Sequence, residues 1–166
     1  MTYNEQPATH PGRRTRARVQ IAALIVGSVF LLVGVLGFIP GVTTDFDTLS
    51  GAGHHTEAKL LGLFQVSVLH NLVHLLFGVA GIIAARTVAA ARLYLVVGGT
   101  IYLVLWLYGL VIDQTGDANF IPVNTADNWL HFGLGVGMVA LGLILPRVTR
   151  TPVNEPSAAG QSQQFR

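Results

Sequence analysis

The sequence has no cysteine and few charged residues. The absence of cysteine from all 166 residues excludes a disulfide, a thiol nucleophile, an iron–sulfur cluster and a cysteine zinc site. Only 11% of the residues are charged, whereas 51% are apolar and the mean hydropathy is +0.56. Because soluble globular domains carry about 25% charged residues, this composition predicts an integral membrane protein.

Signatures of common enzyme classes are also missing. The sequence contains no Walker glycine loop, no Gly-x-Ser-x-Gly elbow and no His-Glu-x-x-His motif. Its basic residues flank apolar segments and do not alternate with aromatic residues, so a nucleic-acid partner is not expected. The sequence therefore names no reaction and favours a non-enzymatic protein.

Four apolar blocks are each long enough to cross a bilayer, which takes about 20 residues at ~1.5 Å rise per residue. The blocks are residues 19–39, 60–85, 93–112 and 128–145. The second is the longest, which predicts a tilted helix or an interfacial turn at its start. We expect an all-α, four-helix transmembrane domain over residues 19–145, with a basic tail at 1–18 and a disordered tail at 146–166.

The distribution of basic residues predicts the orientation of the spans. Nine of the ten lysines and arginines lie in the two tails and in the turn between the second and third blocks; only Lys59 lies on the opposite side. Basic residues that flank a span are retained in the cytoplasm. Both termini are therefore expected to be cytoplasmic.

The second and fourth blocks share a pattern at a constant offset of 57 residues. The matching residues are Asn71, His74, Gly78 and Val79 in one block, and Asn128, His131, Gly135 and Val136 in the other. The first and third blocks share only Val26-Gly27 and Val97-Gly98. The repeat predicts two related helical hairpins; the alternative is coincidence among apolar helices.

A candidate polar site lies within these two blocks. It comprises His70, Asn71, His74, Asn128 and His131. Polar side chains at membrane depth are costly to expose to lipid, so they should face the bundle interior or a cavity. The simplest interpretation is that they form hydrogen bonds between helices, while nearby glycines allow the backbones to approach.

Two sharper interpretations stay open. Two histidines from facing helices could ligate haem b, since imidazoles serve as axial ligands; His70 and His131 lie at equal heights, whereas His74 and His131 differ by about 6 Å at ~1.5 Å per residue. Alternatively, His70, His74 and His131 could form a divalent-metal or proton site. No cofactor is predicted as the first choice, and no residue is predicted to be catalytic.

Outer-loop residues offer weaker signals. His54 and His55 together with Glu57 could bind a divalent ion, although a solvated loop is the simpler interpretation. Asp113, Asp117 and Asp127 are interpreted as solubilising charge, and Asp127 also suits the N-cap of the fourth helix.

The segments Leu69-His70-Asn71-Leu72-Val73-His74 and Asp127-Asn128-Trp129-Leu130-His131 carry a resemblance to a known family. Over about residues 19–145 the chain resembles a family of four-span actinobacterial membrane proteins known as a domain of unknown function, family four-three-eight-three. The resemblance implies a bacterial plasma-membrane location and four helices. It brings no activity or ligand.

Three functional hypotheses follow. The first is a structural or accessory membrane protein whose polar residues hold the bundle together. The second is a haem- or metal-binding protein that uses the intramembrane histidines. The third is a small transporter or channel, which would need an oligomer because four spans leave little room for a pathway. The expected partners are the lipid bilayer and either further copies of the chain or other membrane proteins.

Overall fold

The computed structural model describes residues 16–146, which form four α-helices and a small β-sheet. The helices are α1 (Arg18–Leu36), α2 (Val68–Ala84), α3 (Val88–Val111) and α4 (Thr125–Ile144). Except for residues 16–18 and 146, the two tails predicted from the sequence lie outside the described residues. The predicted all-α helical bundle is confirmed.

Three of these helices are long and apolar enough to cross a membrane. They are α1, α3 and α4, of 19, 24 and 20 residues. Helix α2 has 17 residues and is equally apolar, and it extends for about 25 Å at ~1.5 Å per residue. Apolar side chains such as Ile25, Leu76 and Leu107 are more than half exposed on the outside of the bundle. This exterior is typical of a protein that is solvated by lipid.

The bundle consists of two tightly packed hairpins, α1 with α2 and α3 with α4, and glycines hold each pair together. A Cβ atom at Gly27 would lie 2.9 Å from the carbonyl oxygen of Gly78, and one at Gly99 would lie 2.8 Å from that of Gly135. Helices whose interfaces contain small residues can bring their backbones into direct contact. Any larger side chain would force the pair apart.

The two hairpins repeat each other's contacts residue by residue. Gly78 faces Leu31 as Gly135 faces Leu103, so α2 matches α4 at an offset of 57 residues and α1 matches α3 at an offset of 72. The predicted Asn-x-x-His repeat therefore has a structural counterpart. The suggested match of Gly27 with Gly98 is off by one residue, because Gly99 occupies the equivalent crossing.

The same correspondence holds at the ends of the hairpins. Gln20 donates hydrogen bonds to the carbonyl oxygens of Ala85 and Arg86, which satisfies the C-terminal end of α2. The residue equivalent to Gln20 is Arg92, which donates to the carbonyl oxygens of Gly142 and Leu143 at the end of α4. Each hairpin thus uses its first helix to cap its second.

The long connection between α1 and α2 contains the β-sheet. Its antiparallel strands are β1 (Thr43–Thr44), β2 (Lys59–Leu60) and β3 (Phe64–Gln65), with a short 3₁₀-helix at Phe46–Thr48. The predicted second span began at residue 60, but residues 60–67 lie outside α2. Leu61 and Gly62 have positive φ angles of 55° and 69°, so the chain reverses there and cannot continue as a helix.

Candidate functional site

The N-terminal ends of α2 and α4 position the titratable side chains of the site. Ser67 caps α2 by accepting a hydrogen bond from the backbone N–H of His70, and Asn124 caps α4 by accepting one from the N–H of Asp127. The two caps are equivalent in the repeat. Each cap fixes the first turn of its helix. Because the turns that follow continue from it, the cap also sets the direction in which their side chains point.

The repeat pairs the functional side chains in an uneven way. His74 and His131 occupy equivalent positions, but the equivalent of His70 is Asp127. One hairpin thus contributes two imidazoles, and the other contributes an imidazole and a carboxylate. All four residues are buried, with at most 9% of their surface exposed.

The three predicted histidines converge in the structure. The ring centroid of His70 lies 4.6 Å from that of His74 and 6.4 Å from that of His131. Aromatic rings of α1 and α3 pack against two of these imidazoles. The Phe30 ring stacks on His74, with the ring centroids 5.8 Å apart. The Tyr102 ring contacts His131 edge to face, with the centroids 5.1 Å apart. Phe30 and Tyr102 are themselves equivalent in the repeat and stack on each other.

Each of these histidines has a buried nitrogen without a hydrogen-bond partner. Within residues 16–146, no donor or acceptor pairs with the Nδ1 atom of His70, His74 or His131. The His70 imidazole also lies close to the backbone carbonyl groups of Gln65 and Pro122. Leaving a buried polar atom unpaired costs about 1–3 kcal/mol, so three such atoms in one cluster need an explanation.

The cluster borders a cavity of about 360 Å³ between α1, α4 and the β-sheet. We call it the histidine cavity; His70, His74, Asp127 and His131 supply its polar groups, and its other walls are apolar. Its mouth includes Ile25, Val29 and Leu61, which are about half exposed or more on the outside of the bundle. The cavity therefore opens sideways, through the apolar surface that lipid would cover.

A second, smaller cavity lies on the opposite side of the same cluster. It has a volume of about 90 Å³ and also borders His70, His74 and His131. Its wall residues Leu105 and Val73 are the repeat equivalents of Val33 and Leu130 in the histidine cavity. The duplicated fold thus has two related grooves. The histidine cavity is the larger one, and the β-sheet forms part of its wall.

Asp127 departs from its prediction. It is not the N-cap of α4 and not a solubilising charge, because only 3% of its surface is exposed. Its Oδ2 atom accepts hydrogen bonds from the backbone N–H groups of Gln65, at 2.9 Å, and Asn124, at 3.0 Å. The carboxylate joins the β-sheet to α4 at the edge of the histidine cavity. The repeat could have revealed this residue, since an offset of 57 residues makes Asp127 the equivalent of His70.

The two predicted asparagines take no part in the cavity wall. The Asn71 amide packs on Gly37, and the Asn128 amide packs on Gly109, so closely that a Cβ atom on either glycine would overlap the amide. Both asparagines are buried. They belong to the packing within each hairpin, while the histidines belong to the site between the hairpins.

Among the described residues, one group has ligand atoms close enough together to hold a metal ion. It comprises His54, His55 and Asp117, whose ligand atoms all lie within 4.8 Å of one another. Glu57, the predicted third ligand, is not in the group. His70, His74 and His131 do not form such a group in this arrangement.

Comparison with characterised proteins and with solved structures found no match for the chain. A family model covers residues 20–144, a range that contains α1 from Gln20 onward, the other three helices with their connections, and the histidine cluster. The chain belongs to the family described as a domain of unknown function (DUF4383).

Proposed function

We propose that this membrane protein binds a small lipid-soluble molecule in the histidine cavity. The observation that carries the proposal is the coincidence of three unpaired imidazole nitrogens with an apolar cavity open at the lipid-facing surface. Ligand pockets are typically apolar with a few convergent polar groups. A polar head group would bind at the histidines, and an apolar tail would lie along Val29 and Val33.

The position of the unpaired nitrogens favours this function over a purely structural role. The amides of Asn71 and Asn128 also have unpaired buried atoms but line neither cavity, whereas the three histidines line the histidine cavity. If the histidines served to hold the bundle together, they should form hydrogen bonds across helices. In the described part of the chain, the three Nδ1 atoms form none. A ligand that supplied the missing partners would remove the cost of leaving them unpaired.

The chemistry of the cavity favours a head group with carbonyl or hydroxyl groups. A neutral imidazole has one donor and one acceptor nitrogen, so it can bind either group. Asp127 adds a second kind of polar contact at the same wall. A quinone with an alkyl tail combines carbonyl acceptors with an apolar chain, and it is the class of ligand that we propose.

The spacing of the rings makes haem a weaker candidate than a quinone. His70 and His74 are in direct contact, and Phe30 and Tyr102 pack against the imidazoles of His74 and His131. A macrocycle between two of these imidazoles would require the rings to separate. A quinone head group would lie in the cavity beside the cluster without separating the rings, and because the Nδ1 atoms are buried, an imidazole ring would rotate to bring its nitrogen to that head group.

The proposal includes a position in the membrane. We propose that α2 is a fourth span, that both termini are cytoplasmic and that the membrane is a bacterial plasma membrane. The nine-to-one distribution of basic residues supports this orientation. In that orientation the histidine cavity lies in the outer half of the bilayer, near the N-terminal ends of α2 and α4.

The test uses the full chain in lipid nanodiscs and decylbenzoquinone as the probe. Tryptophan in place of Val29 would fill the mouth of the cavity, and we expect Val29→Trp to weaken quinone binding at least tenfold. Ile101→Trp is the matched control, because Ile101 is the repeat equivalent of Val29, is similarly exposed and lines neither cavity.

Binding is measured by titration calorimetry, with empty nanodiscs as the reference for partition into lipid. Equal binding by both tryptophan variants would contradict the proposal, as would wild-type protein that takes up no more quinone than empty nanodiscs. His131→Ala provides a second variant that removes a polar contact without adding bulk. Its thermal unfolding would show that it is folded before binding is compared.

A further inference from the structure

The outer loops bring together two imidazoles and a carboxylate from distant parts of the sequence. His54 and His55 lie in the connection between α1 and α2, and Asp117 lies in the connection between α3 and α4. The ring centroids of His54 and His55 are 4.0 Å apart, and ligand atoms of all three residues lie within 4.8 Å of one another. That spacing suits ligands that share one ion.

One backbone hydrogen bond joins the two loops, and side-chain hydrogen bonds hold the first loop in place. The N–H of Gly53 donates to the carbonyl oxygen of Phe120 at 2.6 Å, which joins the loops directly beside His54. The Gln65 side chain donates to the carbonyl oxygens of Thr56, at 2.7 Å, and His54, at 3.4 Å. The ligands are thus placed by contacts that do not depend on the ligands themselves.

The surrounding charge favours a cation. Asp113 adds a carboxyl near His54, and hydrogen bonds from Thr115 lower the pKa of that carboxyl. Lys59 is the single basic residue in the two connections. A cation bound between the loops would therefore meet little repulsion.

We propose that His54, His55 and Asp117 bind a divalent transition-metal ion that links the two outer loops. Two imidazoles and one carboxylate suit zinc, copper or nickel and do not suit magnesium or calcium, which prefer oxygen ligands. Three protein ligands leave a coordination position for water or a further ligand. The site is separate from the histidine cavity, and it does not depend on the function proposed above.

Zinc is the probe for the test, and the full chain is purified in detergent without a polyhistidine tag. Competition with a chromophoric chelator at neutral pH measures stoichiometry and affinity. We expect one zinc ion per chain, with an affinity at least tenfold weaker in His55→Ala and in Asp117→Asn. Glu57→Gln should bind zinc like the wild type, because Glu57 is an exposed acidic residue of the same loop outside the group.

Several outcomes would overturn the proposal. They are the absence of stoichiometric zinc binding, equal affinity of the wild type and Asp117→Asn, and binding of calcium in preference to zinc. Loss of zinc binding in His74→Leu but not in His55→Ala would place the ion at the membrane histidines and would also refute the site. Because His55 and Asp117 are exposed, their variants should fold, and thermal unfolding without metal checks this.

Zinc should also raise the unfolding temperature of the wild type, since a ligand that binds only the folded state stabilises it. The rise should disappear in Asp117→Asn and persist in Glu57→Gln. A rise of equal size in Asp117→Asn would refute the proposed ligand set.

Discussion

At the scale of single residues, the buried asparagines depend on glycines of the neighbouring helix. The Asn71 amide occupies the space where a side chain on Gly37 would be, and Asn128 does the same at Gly109. Neither contact requires a positive φ angle at the glycine, because the constraint is the missing side chain. The fold therefore requires glycine at these two positions for as long as it has the asparagines that pack against them.

Gly37→Ala should destabilise the protein by about 1–3 kcal/mol, the usual cost of overpacking a well-packed interior. The added methyl group would overlap the amide of Asn71 and force it to move. Thermal unfolding in detergent, followed by circular dichroism, measures the change. Gly133→Ala is the control, since a Cβ atom at Gly133 would meet nothing within 4 Å. Similar losses in both variants would contradict the packing argument.

His74→Leu should leave the free energy of unfolding unchanged to within about 1 kcal/mol, because replacing an unpaired buried polar group by an apolar one removes a desolvation cost. The same variant should lose quinone binding. Thermal unfolding and calorimetric titration together distinguish a structural role of the histidines from a role in quinone binding. If histidine hydrogen bonds held the bundle together, His74→Leu would instead lower stability markedly.

The sequence identified the three histidines directly, whereas Asp127 could be found only through the repeat, in which it is the equivalent of His70. The histidines lie within apolar blocks, where a polar residue is conspicuous, whereas Asp127 lies at a block boundary, where a carboxylate usually faces water. Its burial depends on the N–H groups of Gln65 and Asn124, one of which comes from a distant strand. Contacts of that kind leave no local pattern in the sequence.

At the scale of elements, the hairpins are closed at one end by side chains of their first helices. Gln20 and Arg92 use different chemical groups for the same task, since each donates to two consecutive carbonyl oxygens at the end of the partner helix. An amide nitrogen has two hydrogens to donate and a guanidinium has five. Capping the helix end therefore needs a side chain that has hydrogen-bond donors and is long enough to reach the carbonyl oxygens. It does not need a positive charge.

Arg92→Gln should retain more stability than Arg92→Ala. Glutamine can donate to the carbonyl oxygens of Gly142 and Leu143 as Gln20 does at the equivalent position, whereas alanine leaves them without that partner. We expect a loss of about 0.5–1.5 kcal/mol per hydrogen bond removed in the alanine variant. Thermal unfolding of the two variants measures the difference, and equal stability would show that Arg92 does not act as a cap.

The second apolar block shows where sequence periodicity reaches its limit. Leu60, Leu61 and Leu63 look like the start of a membrane helix. Leu60 instead belongs to β2, which pairs with Thr43–Thr44, and Leu61 and Leu63 lie in the turn that leads to β3. Short apolar stretches do not distinguish strands from helices. Only Gly62 and the Ser67 cap mark the boundary locally. The α2 helix itself, which carries two of the histidines, followed from the sequence.

At the scale of the whole molecule, the duplicated fold explains why the site lies between the hairpins. Equivalent helices meet around Phe30 and Tyr102, so two related grooves flank one histidine cluster. The connection between α1 and α2 is longer than that between α3 and α4, and its β-sheet adds Leu60, Leu61 and Phe64 to one groove. The asymmetry of the connections thus gives one large cavity.

The proposed orientation predicts which loops are accessible from outside the cell. Because the chain has no cysteine, single cysteines can be introduced without a background signal. Asp47→Cys and Ala118→Cys lie in the outer connections, and Ala89→Cys lies in the first turn of α3, next to its connection with α2; all three positions are exposed. We expect a membrane-impermeant maleimide to label the first two in intact bacterial cells and to leave Ala89→Cys unlabelled.

After the cells are permeabilised, Ala89→Cys should be labelled as well, which shows that its thiol is reactive. Labelling of Ala89→Cys in intact cells, without labelling of Asp47→Cys, would mean that the topology is inverted. Labelling of Asp47→Cys but not Ala118→Cys would mean that the two outer connections lie on opposite sides of the membrane. In that case α2 would not span the bilayer in the proposed way, and the two hairpins would not share one orientation. The pattern across the three positions therefore tests the fourth span and the orientation together.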